Sequence, residues 1–137
     1  MHHIYKIEEI SPGMSASISH LVTEVDVARF AELSGDDNPV HLDEEYASKS
    51  RYGRRIAHGL YGASLFSGIF GTRLPGRGCV YASQNLKFRR PVFIGDVLVA
   101  TVTVISVEIQ RKIVKFSTVC SVEGKEVTIG DAEIFIP

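Results

Sequence analysis

At 137 residues, with 45% hydrophobic side chains and a formal net charge of −1, the chain fits one globular domain that can bury a core without staples. The near balance of 15 basic and 16 acidic side chains excludes a global basic field of the kind that draws in nucleic acid. Two cysteines, Cys79 and Cys120, lie far apart with no CxxC spacing, which argues against a disulfide framework or a zinc site and for reduced thiols in the cytoplasm.

In chain order, Ser11-Pro12-Gly13 marks a turn, and loose alternation over residues 15–23 predicts a first strand. Thr23 then suits a helix N-cap, with Asp26 as a carboxylate near the positive helix end. Val27, Phe30, Ala31 and Leu33 supply the apolar face of that helix, and Gly35 ends it. Asp43 suits the cap of a second short helix through Ala47. Residues 50–58 are basic and irregular. A longer helix is expected over 59–71, where Gly59, Ala63, Ser67 and Gly71 form one smooth face and Leu65, Phe66, Ile69 and Phe70 the bulky remainder. Each glycine costs a helix roughly 1 kcal/mol against alanine, so close approach by sheet backbone or a ligand should compensate.

Beyond Leu74-Pro75-Gly76 the apolar period changes to two. Strands are expected over 79–88, 97–109, 111–122 and 126–136, with turns at Ile94-Gly95-Asp96 and Glu123-Gly124-Lys125. The 97–109 strand reads as apolar on both faces, which calls for a second cover and so for a homodimer. Short turns between strands, with helices segregated early, imply an α+β class with an antiparallel sheet. No apolar run reaches membrane-spanning length and no signal-peptide core opens the chain, so neither a membrane nor a nucleic acid is expected as a partner.

The chemistry-bearing stretch is Leu33-Ser34-Gly35-Asp36-Asp37-Asn38-Pro39-Val40-His41-Leu42. Asp36 and His41 stand on either side of the stiff Asn38-Pro39 step, a candidate general acid/base pair. The same residues would equally serve as a helix cap and a surface histidine. The SGDxNPxH core resembles the signature of the MaoC-like, (R)-specific enoyl-CoA hydratases, the hydratase 2 group. The similarity continues, in the order that family uses, through Arg54-Arg55-Ile56-Ala57-His58-Gly59, Ala63-Ser64-Leu65-Phe66-Ser67-Gly68, Leu74-Pro75-Gly76, and the run from Phe88 to Asp96.

This resemblance implies a hot-dog fold, a curved antiparallel sheet wrapped around a long central helix, in a single domain over 1–137 that dimerises through its sheets. It implies a hydro-lyase of fatty acid metabolism, acting on trans-2-enoyl thioesters of coenzyme A or acyl carrier protein without metal or redox cofactor. Asp36 and His41 would activate one water, and which of them is formally acid or base stays open. Gly59, at a helix start with unpaired N–H groups and no side chain, would hold the thioester oxygen as charge builds on it. Asn38 would order the loop or the water, or serve only as a turn residue before Pro39. Ser67 and Phe70, further along the smooth helix, would line and close an acyl tunnel, with core packing as the alternative for Phe70. Some of the arginines clustered at 51–55, 73–77 and 89–90 would meet coenzyme A phosphates. Arg55 departs from the pattern, standing where related sequences often carry proline. Two other readings fit the same shape, a hot-dog thioesterase and a non-catalytic acyl-thioester binding subunit.

Overall fold

Residues 3–137 are described here by a computed structural model; residues 1 and 2 of the expected domain lie outside the described residues. A single 3₁₀ turn at Ile7–Glu9 precedes strand β1, Ser15–Leu21. Helix α1, Glu24–Ser34, begins as its composition predicts, the Thr23 hydroxyl accepting the Asp26 N–H at 3.1 Å. It ends at Gly35, whose φ of 79° is the left-handed conformation that favours glycine. Helix α3, Glu44–Ser48, is capped by Asp43, as expected. The short helix α2, Pro39–Leu42, is not among the elements the sequence predicts. It forms because Asn38 accepts the Val40 N–H and Pro39 takes the first helical position, where its missing N–H costs nothing.

Helix α4, Gly59–Thr72, lies along one antiparallel sheet, packing against β1 and the strands that follow it. Those are β2, Val80–Gln84; β3, Lys87–Phe88; β4, Val97–Glu108; β5, Ile113–Val122; and β6, Lys125–Phe135. The spatial order is β1-β4-β5-β6-β2, with β3 pairing to β6, so β1 and β2 are the free edges. Every pairing is antiparallel, which bears out the α+β expectation. The core between sheet and helix is built from Phe66, Ile69 and Phe70 of α4 against Leu98, Val102, Phe116 and Ile134, each at most 1% exposed.

Two expectations need correction. The 79–88 stretch is two strands, not one: pairing slips between Tyr81 and Ser83, and the Asn85 carbonyl crosses so near Gly130 that a Cβ there would stand 1.9 Å from it. The Gln84 side chain turns inward at the break, donating to the Asn85 carbonyl and to the buried Thr118 hydroxyl. Strand β4 does carry apolar residues on both faces, as expected: Leu98, Ala100, Val102 and Val104 are buried, while Val97, Val99 and Ile105 stand with Thr101 and Thr103 on the outer face. Being flanked by β1 and β5, it offers no free edge to a second copy. Finally, the smooth stripe of α4 is not its buried face. Ala63 is buried, but Gly59, Ser67 and Gly71 are exposed, and a Cβ on Gly71 would meet nothing within 4 Å.

Candidate active site

The loop after α1 is wound by its own polar side chains. The Ser34 hydroxyl donates to the Phe30 carbonyl and accepts the Asp36 N–H, and Asp36 Oδ1 accepts the Asn38 N–H at 3.2 Å. These contacts leave the Asp36 carboxylate about half exposed, facing back toward α2. His41, in the last turn of α2, is buried at 7% exposure. Its Nδ1 is 2.7 Å from the Ile56 carbonyl, a partner that can only accept, so the ring proton sits on Nδ1 and Nε2 carries the free lone pair. That Nε2 is 4.0 Å from Asp36 Oδ2, too far for a direct bond. An oxygen atom about 2.8 Å from each would bridge them at an angle of about 90°. The spacing suits one water held between a base and a carboxylate.

His58 completes the cluster. Its Nε2 donates to the Asp36 backbone carbonyl at 2.9 Å, and its ring stacks on His41 with centroids 3.7 Å apart and planes 27° apart. Phe30 packs on its other side, at 4.8 Å. Its Nδ1 is buried without a partner. This geometry assigns His58 to loop ordering. Ligand atoms of Asp36, His41 and His58 all lie within 4.8 Å of one another. His58 Nε2 is already engaged with the Asp36 carbonyl, so of the nitrogens that approach the Asp36 carboxylate only His41 Nε2 is free.

Burial lowers the His41 pKa below the usual 6.5; the Ile56 carbonyl and the Asp36 charge oppose the shift, and His58 adds to it. A depressed value keeps the imidazole neutral, and so basic, further into acid. The acid limb of kcat/KM should therefore fall below pH 6.5, the ordinary imidazole value. A pH–rate profile on the free enzyme checks this, and a limb at or above 6.5 would contradict it.

The cluster opens into a cavity of about 720 Å³, walled by α4, the 88–92 segment and the sheet. Gly59, Leu60 and Tyr61, the first turn of α4, line it. Among the described residues no side chain caps that turn and no acid stands in it, so its leading N–H groups, which have no intrahelical partner, lie beside the cavity as available donors. A Cβ on Gly59 would stand 2.5 Å from Cδ1 of the Phe88 ring. The inner wall is Val22, Leu98, Tyr61 and Thr128, all buried. The Tyr61 hydroxyl bonds His20 Nε2 at 2.6 Å, and His20 in turn lies 3.3 Å from Asp26. Burial, with the Asp26 charge adding, pushes Tyr61 up to about 12, so it stays a neutral phenol. Arg51, Arg89 and Arg90 line the cavity as well.

Of the residues singled out in the sequence, Asp36, His41 and Gly59 are brought together around this cavity. The other three are not. Asn38 is exposed as the cap of α2, and Ser67 lies on the exposed side of α4. Phe70 is 1% exposed, held edge-on between Phe116 and Tyr81, so in this chain it fills the core rather than closing a tunnel. Helical periodicity placed Ser67 and Phe70 on the helix correctly but could not say which side of α4 the cavity meets. Tyr61, Leu98 and Val22 give no sign of this role in the sequence, because each reads as an ordinary member of an apolar stretch, and Phe88 stands there only as the start of the 88–96 run.

Comparison with known proteins places this geometry in context. A family model described as the MaoC like domain matches residues 8–126. The chain is similar to an (R)-specific enoyl-CoA hydratase from Rhodospirillum rubrum, 45% identical over 134 residues that cover 98% of this chain and 93% of that one. It is also similar to a 3-hydroxybutyryl-CoA dehydratase from Methylorubrum extorquens, 42% identical over 95% of this chain and 83% of the other. Among solved structures, the (R)-hydratase from A. caviae involved in PHA biosynthesis superposes with a TM-score of 0.93, at 37% identity, covering 95% of this chain and 99% of that one.

Proposed function

The chain belongs to the MaoC-like domain family, and from that premise we propose that it is an (R)-specific enoyl thioester hydratase, a hydro-lyase. It adds water reversibly to a trans-2-enoyl thioester and yields the (3R)-3-hydroxyacyl product. The observation that carries this reading is His41 Nε2, unprotonated and 4.0 Å from the Asp36 carboxylate, facing a cavity that begins at an uncapped helix N-terminus.

In the hydration direction His41 takes a proton from water, and the water oxygen bonds to C3. The C2–C3 π electrons move toward the thioester, whose oxygen gains charge beside the Gly59 N–H. Asp36 holds the water; the enolate pair then closes onto C2 and takes up the proton passed on from His41, which returns to neutral, so one water supplies both the hydroxyl and the hydrogen. Arg51, Arg89 and Arg90 suit the phosphates of coenzyme A, or the phosphopantetheine of acyl carrier protein. No step in this account calls on a metal or redox cofactor. Two unpaired thiols among the described residues, Cys79 and Cys120, suit a reducing cytoplasm; among those residues no helix is long and apolar enough to cross a membrane.

The test is the ultraviolet absorbance of the conjugated enoyl band of crotonyl-CoA. It should decay on addition of the protein, without release of free thiol. Thiol release would instead mark a thioesterase, and binding without either change would mark a non-catalytic subunit.

We further infer a homodimer. Strand β2 is a free sheet edge with Val80 and Tyr81 exposed, and Leu60 and Phe88, both more than half exposed, stand beside the cavity. Apolar side chains on an unpaired edge want a partner. Sedimentation at micromolar concentration should give twice the chain mass, and a fully active monomer would refute it.

A further inference from the structure

We propose that Arg55 is a positioning residue: by pairing with Glu24 and Glu44 at once, it ties the helices on either side of the catalytic loop to the backbone segment that orients His41. The inference rests on the hydratase reading of the site.

The segment around Ile56 is an anchor. Ile56 forms a bridge with Phe93, the Ala57 N–H donates to the Val92 carbonyl at 2.7 Å, and Arg54 lies over the Phe93 ring at 3.9 Å. On the opposite side, the Ile56 carbonyl accepts His41 Nδ1–H and the Ile56 N–H donates to the Val40 carbonyl. This anchor thus sets both the tautomer and the placement of the base. Among the described residues its backbone makes no hydrogen bond to α1 or α3, the helices that bracket the stretch carrying Asp36 and His41. Arg55 makes that link. Its Nε pairs with Glu44 Oε2 at 2.7 Å, and its terminal nitrogen with Glu24 Oε1 at 2.9 Å. Glu24 opens α1 and Glu44 opens α3.

The arginine side chain is 16% exposed although both glutamates are more than 60% exposed. A guanidinium can serve two carboxylates in fixed directions, which an ammonium point charge cannot. Ion pairs whose carboxylates face solvent contribute little to global stability, so the function of this bridge is geometric.

The experiment measures enoyl thioester hydration and, separately, the His41 tautomer by nitrogen NMR, in the parent, Arg55→Met, Arg55→Lys and the double variant Glu24→Gln/Glu44→Gln. Arg55→Met should lower kcat by about tenfold with KM within about twofold; misplacement by 1 Å sets an upper bound near 10²-fold. Its melting temperature should stay near that of the parent. The double variant should match it, and lysine should restore only part of the loss. High salt should lower the parent's kcat toward that of Arg55→Met and leave the variant unchanged. In the NMR spectrum, where Asp36 and His58 are the titratable groups facing His41, the parent should show a single Nδ1–H form and Arg55→Met a mixture. An unchanged kcat in folded Arg55→Met overturns the proposal, and if that variant does not fold, an unchanged kcat in the double variant does so. If the parent hydrates nothing, the hydratase reading falls, and a single Nδ1–H form retained in the variants still overturns the role given to Arg55.

Discussion

Asp36→Ala and His41→Ala are each expected to lower kcat by roughly 10²–10⁴-fold, the range of a general acid or base. Since either group acts on the water only as it reacts, kcat and kcat/KM should fall together. The two variants differ in what else they disturb. The Asp36 carboxylate is 51% exposed, so its loss should leave thermal unfolding close to that of the parent. His41 is buried, stacked on His58 and bonded to the Ile56 carbonyl. Its removal strands that carbonyl, at a cost of about 1–3 kcal/mol, so kcat must be referred to folded protein. Steady-state kinetics with circular dichroism on one preparation checks both. If either folded variant keeps more than about a tenth of parent activity, that residue is not the acid or base.

Gly59→Ala should lower kcat by roughly 10²–10³-fold: alanine keeps the N–H, but its Cβ would push the thioester carbonyl away from that donor, which amounts to the loss of one oxyanion contact. The structure adds a competing cause. The new Cβ would stand 2.5 Å from the Phe88 ring, so the ring has to move. Phe88 is half exposed, and its ring is the free end of a side chain, so it can swing aside. A displaced ring at the cavity wall would impair turnover by itself. Gly59→Ala in a Phe88→Ala background separates the two. If the N–H of Gly59 holds the thioester oxygen, the loss persists there. Recovery to the level of Phe88→Ala alone, or a single variant within about threefold of the parent, far short of a missing donor, would assign Gly59 to seating Phe88.

Much of this arrangement is legible in the sequence because local chemistry decides it. Thr23, Asp43 and Gly35 bound their helices through contacts to backbone within four residues. The Asp36–His41 pairing follows similarly from a loop too short and too stiff to separate them. The illegible parts depend on contacts distant in sequence. That His41 Nδ1 is oriented by Ile56, fifteen positions further along, requires the intervening chain to fold back. That β4 lies inside the sheet is a matter of strand order, which residue alternation does not encode. Ser67 and Phe70 fail as cavity residues for the same reason, since a helix with apolar residues all round gives little sign of which side meets the sheet. Arg55 is the converse case: one arginine in a basic, irregular stretch acquires meaning only when two glutamates arrive beside it.

The inner wall of the cavity has a consequence for how such an enzyme changes over generations. Val22 and Leu98, each 1% exposed, face the cavity and also belong to the hydrophobic core. Shortening either would make room for a longer acyl chain. Trimming a core leucine to alanine also costs about 2–5 kcal/mol, out of a total stability of about 5–15 kcal/mol for a typical domain. Chain-length preference and thermal tolerance are therefore not independent traits here. A lineage drifting toward longer substrates must first gather stabilising substitutions elsewhere, so the order in which mutations arise decides which of them survive.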